Sequence, residues 1–276
     1  MGTKEKFWVV DDEKQRWLCK LVRVVDGESR GEDWAEWLVH RLGGLIGVPT
    51  ARVRPATYQG RRGIVSLSVV TRDEQLVHGN ELLREVDSGY DEAEPRENPG
   101  YTVEAVRAAL EGIGPPTAEG DFANQGAFDV WAAYLMLDAW VAGRDRHHQN
   151  WAVIDSSRGH RRLAPSFDHG NALGFQEPDA QRQRLIESPE RLATWSLRGT
   201  SPHFAGQPGL VSLAYSALAL ARPEVGQHWR KRLQAVTPTA VADLVDAVPS
   251  TLMSDAARTF CLELLMHNRR RLLDEH

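Results

Sequence analysis

Residues 143–170 read GRDRHHQNWAVIDSSRGHRRLAPSFDHG, and the order of polar and apolar runs in this stretch decides how the chain around it must fold. An apolar run over residues 128–142 stops at Gly143, and a strand-like run over residues 151–154 follows. Asp145 and Asn150 therefore sit five residues apart on a turn. A second short strand is expected over residues 163–167, closing a hairpin whose loop is 155–162, with Asp168 at the strand's end. Both polar ends of this hairpin are expected to face one cleft.

Such a set matches the needs of phosphoryl transfer. That chemistry requires a carboxylate to orient an acceptor hydroxyl, and oxygen ligands for Mg2+ that leave room for water and phosphate oxygens. Asp145 suits the first role, and Asn150 and Asp168 suit the second. His147 lies two residues past Asp145, where a donor can offset charge building on a transferred phosphoryl group. Any one of these side chains alone is a common turn or capping residue. Four of them in order around a strand pair are harder to explain that way. His148 is read as a packing or capping residue.

The chain has 276 residues, enough for two lobes or one large domain, and its 42% hydrophobic and 26% charged content is that of a folded protein. A net charge of -5 gives no basic field to attract a nucleic-acid backbone, so no nucleic-acid partner is expected. The cluster Arg269-Arg270-Arg271 reads as the solvated end of a helix. Cys19 and Cys261 both lie among apolar residues, which suits buried thiols in a reducing compartment better than a disulfide. The N-terminus lacks a signal-peptide core, and the longest apolar stretch, residues 130–142, is too short to span a bilayer and contains Asp138. A cytoplasmic protein without membrane contact is expected.

The N-terminal part reads as a small antiparallel lobe. Residues 7–10 and 16–24 are strand-like and flank the turn Asp11-Asp12-Glu13-Lys14. Only five of the 33 basic residues are lysines, and Lys20 alone is bracketed by apolar neighbours, so its ammonium needs an anion. A helix is expected over residues 32–46, with Ala35, Leu38, Leu42 and Leu45 on one stripe and Gly47 and Pro49 as its stop. Glu36 stands beside that stripe and is the obvious partner of Lys20, since a strand lysine paired with a helix glutamate positions the α- and β-phosphates of a nucleotide in kinases. Two more strands, 51–56 and 63–70, complete the lobe. Residues 71–79 are expected to connect it to the rest, which divides the chain into a nucleotide-binding lobe, 1–75, and a larger helical catalytic lobe, 76–276. In the latter, residues 87–126 read as irregular apart from a helix at 103–110, and residues 175–206 show no strong period. Helices are expected at 210–220, 225–235, 240–248 and 255–274.

These residues together resemble a HipA-like kinase, a bacterial branch of the protein-kinase-like fold. The resemblance rests on Asp-x-His-x-x-Asn at 145–150 with the carboxylate of Asp168 after it, on residues 31–36 and 45–51 around the helix, and on residues 268–273. The loop is also similar to that of phosphatidylinositol kinases, which place its histidine near the γ-phosphate. The resemblance implies an α+β, bilobal protein-kinase-like fold, with a small antiparallel β lobe carrying one αC-type helix and a larger, mainly helical lobe. It implies ATP or GTP with Mg2+, Lys20 on the α- and β-phosphates with Glu36 as its partner, Asp145 as base, His147 near the γ-phosphate, and Asn150 and Asp168 on the metal. The acceptor is a hydroxyl on a protein Ser/Thr or on a small molecule.

Three departures stand out. No glycine-rich loop precedes Lys20, so residues 2–7 or the turn 11–14 would have to cover the phosphates. The chain starts almost at its first hairpin, so the extra N-terminal subdomain of toxin-type members, and their partner, are not expected. His169 stands where eukaryotic kinases have the phenylalanine of Asp-Phe-Gly. Two other readings stay open. Asp145, His147, His148, Asp168 and His169 could form the binuclear metal site of a phosphohydrolase, or the chain could be a nucleotide-binding pseudokinase or scaffold.

Overall fold

A computed structural model describes residues 5–25, 27–94, 96–117, 122 and 124–274. Strands β1 (Lys6–Val10) and β2 (Arg16–Leu21) form the opening hairpin, and the short strands β3 (Val24–Val25) and β4 (Glu28–Ser29) lead into helix α1 (Glu32–Ile46). Helix α1 forms where expected because Ala35, Leu38, Val39, Leu42 and Ile46 recur at helical spacing and are all buried. Gly47 ends it at a φ of 78°, donating its N–H to the carbonyls of Gly43 and Gly44.

Strands β5 (Val53–Tyr58) and β6 (Arg61–Leu67) follow. Both are displaced from the expected ranges because the turn between them is only Gln59-Gly60, with φ values of 49° and 74°. Positive φ at both central residues matches the twist of a tight hairpin. The four long strands make one antiparallel sheet in the order β1-β2-β6-β5, in which Lys20 lies between Lys6 and Ile64. Helix α1 packs on β5 and β6, and this sheet and helix are the small lobe.

The segment expected as a connection contains strand β7 (Glu74–His78). Helices α2 (Gly79–Val86), α3 (Val103–Ala109) and α4 (Ala127–Val141) come next, then strands β8 (Ala152–Ser156) and β9 (Arg161–Leu163). β7 pairs with β8, and β8 with β9. The second strand of the expected hairpin thus ends at Leu163, not at residue 167. Pro165 cannot donate to a ladder, and the flanking groups bond elsewhere: Ser166 donates to the Pro49 carbonyl and accepts from the Ala51 N–H. The chain is drawn across to the small lobe, and Asp168 sits beyond the strand in a loop, with a left-handed φ of 61°.

Helices α5 (Asp179–Ile186), α6 (Pro189–Leu197), α7 (Leu210–Leu220), α8 (Pro223–Gln234), α9 (Pro238–Asp246) and α10 (Asp255–Asp274) complete the large lobe. All 15 residues of α4 are buried, so it is the axis of this lobe, with α7 and α10 packed against it. Helices α2, α5 and α6 were not expected. α5 buries only Arg182 and Leu185, which leaves no apolar stripe to detect. α6 did carry a start signal, because the Ser188 side chain accepts from the Arg191 N–H and Pro189 takes the first helical position.

The fold is therefore α+β and bilobal, a small antiparallel lobe with one helix set on a mainly helical lobe. Among the described residues no helix is long and apolar enough to cross a membrane. Cys19 and Cys261 are both buried and free. Residues 2–4, one part of the segment expected over the phosphates, lie outside the described residues. Leu42 is fully buried in the main hydrophobic core, so Leu42→Ala should lower stability by about 2–5 kcal/mol, read as a shifted urea midpoint with an unchanged slope.

Candidate active site

β2 and α1 are both fixed by apolar burial, and together they dictate where Lys20 and Glu36 meet. Trp17, Cys19 and Leu21 are the buried side of β2, so Lys20 projects from the other side. Its Nζ lies 3.3 Å from Glu36 Oε1 and 2.9 Å from Asp168 Oδ1. Burial alone would lower the pKa of this ammonium, but attraction to Glu36 and Asp168 outweighs it and raises the pKa above the ordinary lysine range. Lys20 is thus charged, mostly buried, and shared between two carboxylates.

The loop after α4 is held by a buried ion pair. Arg146 Nε and Nη2 donate to Asp138 Oδ2 and Oδ1 at 2.7 and 2.9 Å, and its Nη1 donates to the Asn150 carbonyl at 2.7 Å. The Arg146 carbonyl in turn accepts from the Tyr101 hydroxyl at 2.9 Å. Burial raises the Asp138 pKa, and Arg146 opposes that shift. This clamp closes the loop into the turn on which Asp145, His147 and Asn150 stand. Asn150 adds a bond of its own, donating from Nδ2 to the Asp145 carbonyl at 2.7 Å. That bond assigns Nδ2 to the loop and leaves Oδ1 as the acceptor end of the carboxamide.

Each histidine of the region has a distinct environment. His147 Nδ1 accepts from the Gln149 N–H at 3.1 Å, which in the neutral ring puts the proton on Nε2. Burial lowers the His147 pKa; Asp145 works against this and His203 adds to it. His148 is a packing residue, as expected: it is buried, its Nδ1 lies 2.6 Å from the Tyr90 hydroxyl, and burial, then His147 and His203, push its pKa down to about 4. His169 is buried with Nδ1 3.8 Å from Asp138, and burial holds its pKa well below the usual range. His203 was not foreseen. Its Nε2 lies 3.0 Å from Asp145 Oδ1, and its ring is 5.2 Å from that of His147.

Lys20, His147, Asn150 and Asp168 line one cleft of about 620 Å³ between the lobes. A smaller recess shares Asn150 and Asp168 with that cleft and adds Asp145. The six residues singled out in the sequence thus converge: five line these two cavities, and Glu36 contacts Lys20 from behind. Leu18, Ala51, Leu76 and Phe167 give the cleft apolar walls, and residues 66–69 run along its edge. Lys6 and Trp8 of β1 line it as well, whereas no residue of the turn 11–14 does. The donor set suits a hard cation, with the carboxylate of Asp168 and the carboxamide oxygen of Asn150 on the same wall and room beside them for water and phosphate oxygens. The five-residue set of the phosphohydrolase reading does not converge: His148 and His169 are engaged elsewhere, and among the described residues no three His, Cys, Asp or Glu side chains could hold a metal ion together.

Asp138, Arg146 and His203 are the parts of this site that sequence reasoning did not single out for it. The first had a signal: an acid in an otherwise apolar helix needs a cation when buried, and Arg146 is eight residues on. His203 had none, since it reaches Asp145 across 58 residues of chain.

No protein-family model and no curated protein sequence matches the chain. Its coordinates do match solved structures. The proinflammatory kinase CtkA of Helicobacter pylori superposes with a TM-score of 0.78 at 14% identity, over 99% of this chain and 90% of the other. HipA, in the toxin–antitoxin complex of HipA, HipB and operator DNA from Shewanella oneidensis MR-1, superposes with a TM-score of 0.63 at 11% identity, over 100% and 67%. The chain has a HipA-like kinase fold.

Asp138→Ala leaves Arg146 as an uncompensated buried charge and should lower stability by about 3–5 kcal/mol, measured by chemical denaturation. A pH dependence follows from His148. Its folded pKa, about 4, lies below the ordinary 6.5, so the unfolded chain binds the proton first as pH falls. The stability contribution is complete above pH 6.5 and is lost between about 6.5 and 4. The unfolding midpoint of the wild type should fall through that window, and less steeply in His148→Gln.

Proposed function

We propose that the protein is a phosphotransferase that moves the γ-phosphate of ATP or GTP to a hydroxyl group, on a protein serine or threonine or on a small molecule. The observation that carries this reading is the meeting of Lys20 Nζ with Glu36 and Asp168, at 3.3 and 2.9 Å, in a cleft that Asn150 also lines. The Helicobacter pylori neighbour is itself named a kinase, which supports the same chemistry here.

In this reading residues 1–75 cover the nucleotide and residues 76–276 carry the catalytic loop. The apolar walls from Leu18, Ala51, Leu76 and Phe167 take the flat face of the base, with the backbone of residues 66–69 at its edge. Lys20 binds the α- and β-phosphates, and Glu36 keeps its ammonium aimed at them. Asn150 and Asp168 hold Mg2+, which when bound offsets phosphate charge. Asp145 orients the acceptor hydroxyl and takes its proton, while His203 holds one carboxylate oxygen at 3.0 Å and so fixes the rotamer. His147 donates from Nε2–H to the transferred phosphoryl group as a neutral ring. A cytoplasmic site of action fits two free buried thiols.

Incubation with γ-labelled ATP and Mg2+ tests this. The wild type should turn over ATP or transfer label, and Asp145→Ala and Asp168→Ala should each lose about 100-fold or more. Calorimetry should show Mg-nucleotide affinity falling more in Asp168→Ala than in Asp145→Ala. Turnover retained by both variants would refute the assignment.

A further inference from the structure

The cleft holds more negative charge than Lys20 can serve. Its ammonium is already shared by Glu36 and Asp168, so even with Mg2+ on Asn150 and Asp168 a triphosphate entering beside it leaves the site net negative, which favours a second side-chain cation. Kinases commonly supply backbone N–H groups from a glycine-rich loop at this point, and the chain has no such loop before Lys20. The turn between β1 and β2 does not serve either: it is acidic, and Asp11 is committed to the Gln15 N–H at 2.8 Å and the Trp17 indole at 2.9 Å.

Strand β1 itself supplies what the turn does not. In the β1–β2 register Lys6 is directly opposite Lys20, and Trp8 is directly opposite Leu18. Directly paired residues share a face of the sheet, as do residues two apart along a strand. Lys6, Trp8, Leu18 and Lys20 therefore form one four-residue patch on the cleft side, and all four line the cleft. Among the described residues, Lys6 and Lys20 are the only lysine or arginine side chains that line the cleft. Among the described residues Lys6 makes no ion pair. Trp8 is 50% exposed, large for an indole with no buried role, with the Arg16 guanidinium 4.6 Å from its ring centre on one side.

From this patch we infer that β1 is the nucleotide roof of this protein: Lys6 binds the phosphate chain beside Lys20, and Trp8 covers the base and ribose above Leu18. The inference rests on the nucleotide reading of the cleft. It assigns the phosphate contact to a side-chain ammonium where other kinases use loop backbone. Phosphate binding by Lys6 is then sensitive to ionic strength and replaceable by arginine, and contact by Trp8 is independent of phosphate number.

Calorimetric titration of the full chain with ATP plus Mg2+, and separately with adenosine, tests the assignment in Lys6→Ala, Lys6→Arg and Trp8→Ala. Lys6→Ala should weaken ATP about 5- to 10-fold and leave adenosine unchanged, and Lys6→Arg should restore most of the loss. Added salt should narrow the ATP-to-adenosine ratio more in the wild type than in Lys6→Ala. Trp8→Ala should weaken both ligands by a similar factor, about 3- to 10-fold. ATP affinity unchanged in Lys6→Ala, while Lys20→Met and Asp168→Ala lose it, would reject the roof and leave the nucleotide site standing. An equal loss of ATP and adenosine in Lys6→Ala would mark Lys6 as structural only and also reject it. No binding by the wild type, or wild-type binding by Lys20→Met and Asp168→Ala, would remove the nucleotide reading and the roof with it.

Discussion

A mostly buried ammonium has to be neutralised, and Lys20 meets that need with one carboxylate from each lobe. Glu36 comes from α1, 16 residues along the chain, and Asp168 comes from the loop after β9, 148 residues along. Removing either anion would leave charge in a place that water does not fully reach. The ion triad therefore ties the register of β2, the rotation of α1 and the unusual backbone of Asp168 to one another. A left-handed φ at a residue other than glycine is disfavoured unless its surroundings hold it, and here Lys20 grips the Asp168 side chain while Ser166 is bonded to the small lobe at Pro49 and Ala51.

The large lobe answers with a second constraint of the same kind. Asp138 lies within α4, which is buried along its whole length, and Arg146 reaches back to it with two bonds. Such a pair adds little net stability over an apolar pair of the same size, because both ions lose their water. Its value lies in geometry. The guanidinium has a fixed fork, and its third bond, to the Asn150 carbonyl, sets the shape of the loop between Gly143 and Trp151. Tyr101 extends the clamp, donating to the Arg146 carbonyl and stacking on Phe204 at 4.1 Å, next to the histidine that holds Asp145. One tyrosine thus braces both loops that meet at the candidate base.

At 14% and 11% identity to its structural neighbours the chain keeps the same path. The contrast between its two clamps and the surface around the cleft is instructive. Arg146 and Asp138 are buried and joined by two bonds, and Lys20 is shared by two carboxylates, so these positions are held from more than one side. Lys6 and Trp8 are exposed, and no residue of the acidic turn beyond them lines the cleft.

Much of this was legible in the chain itself. Apolar spacing marked α1, α7 and α10 to the residue. The order Asp145, His147, Asn150, Asp168 marked the candidate site, and the apolar bracket around Lys20 marked a cation in need of an anion. What could not be read was anything decided by partners distant along the chain. The early end of β9 follows from bonds that Ser166 makes to residues near Pro49, the α5 helix from a polar face with two buried residues, and the hold on Asp145 from a histidine 58 positions away. The chain by itself determined which residue types would be buried, because hydrophobic periodicity is a local property. Only the tertiary structure decided which charges would neutralise one another, because electrostatic and hydrogen-bond pairing depends on distance in space and leaves no period in the sequence.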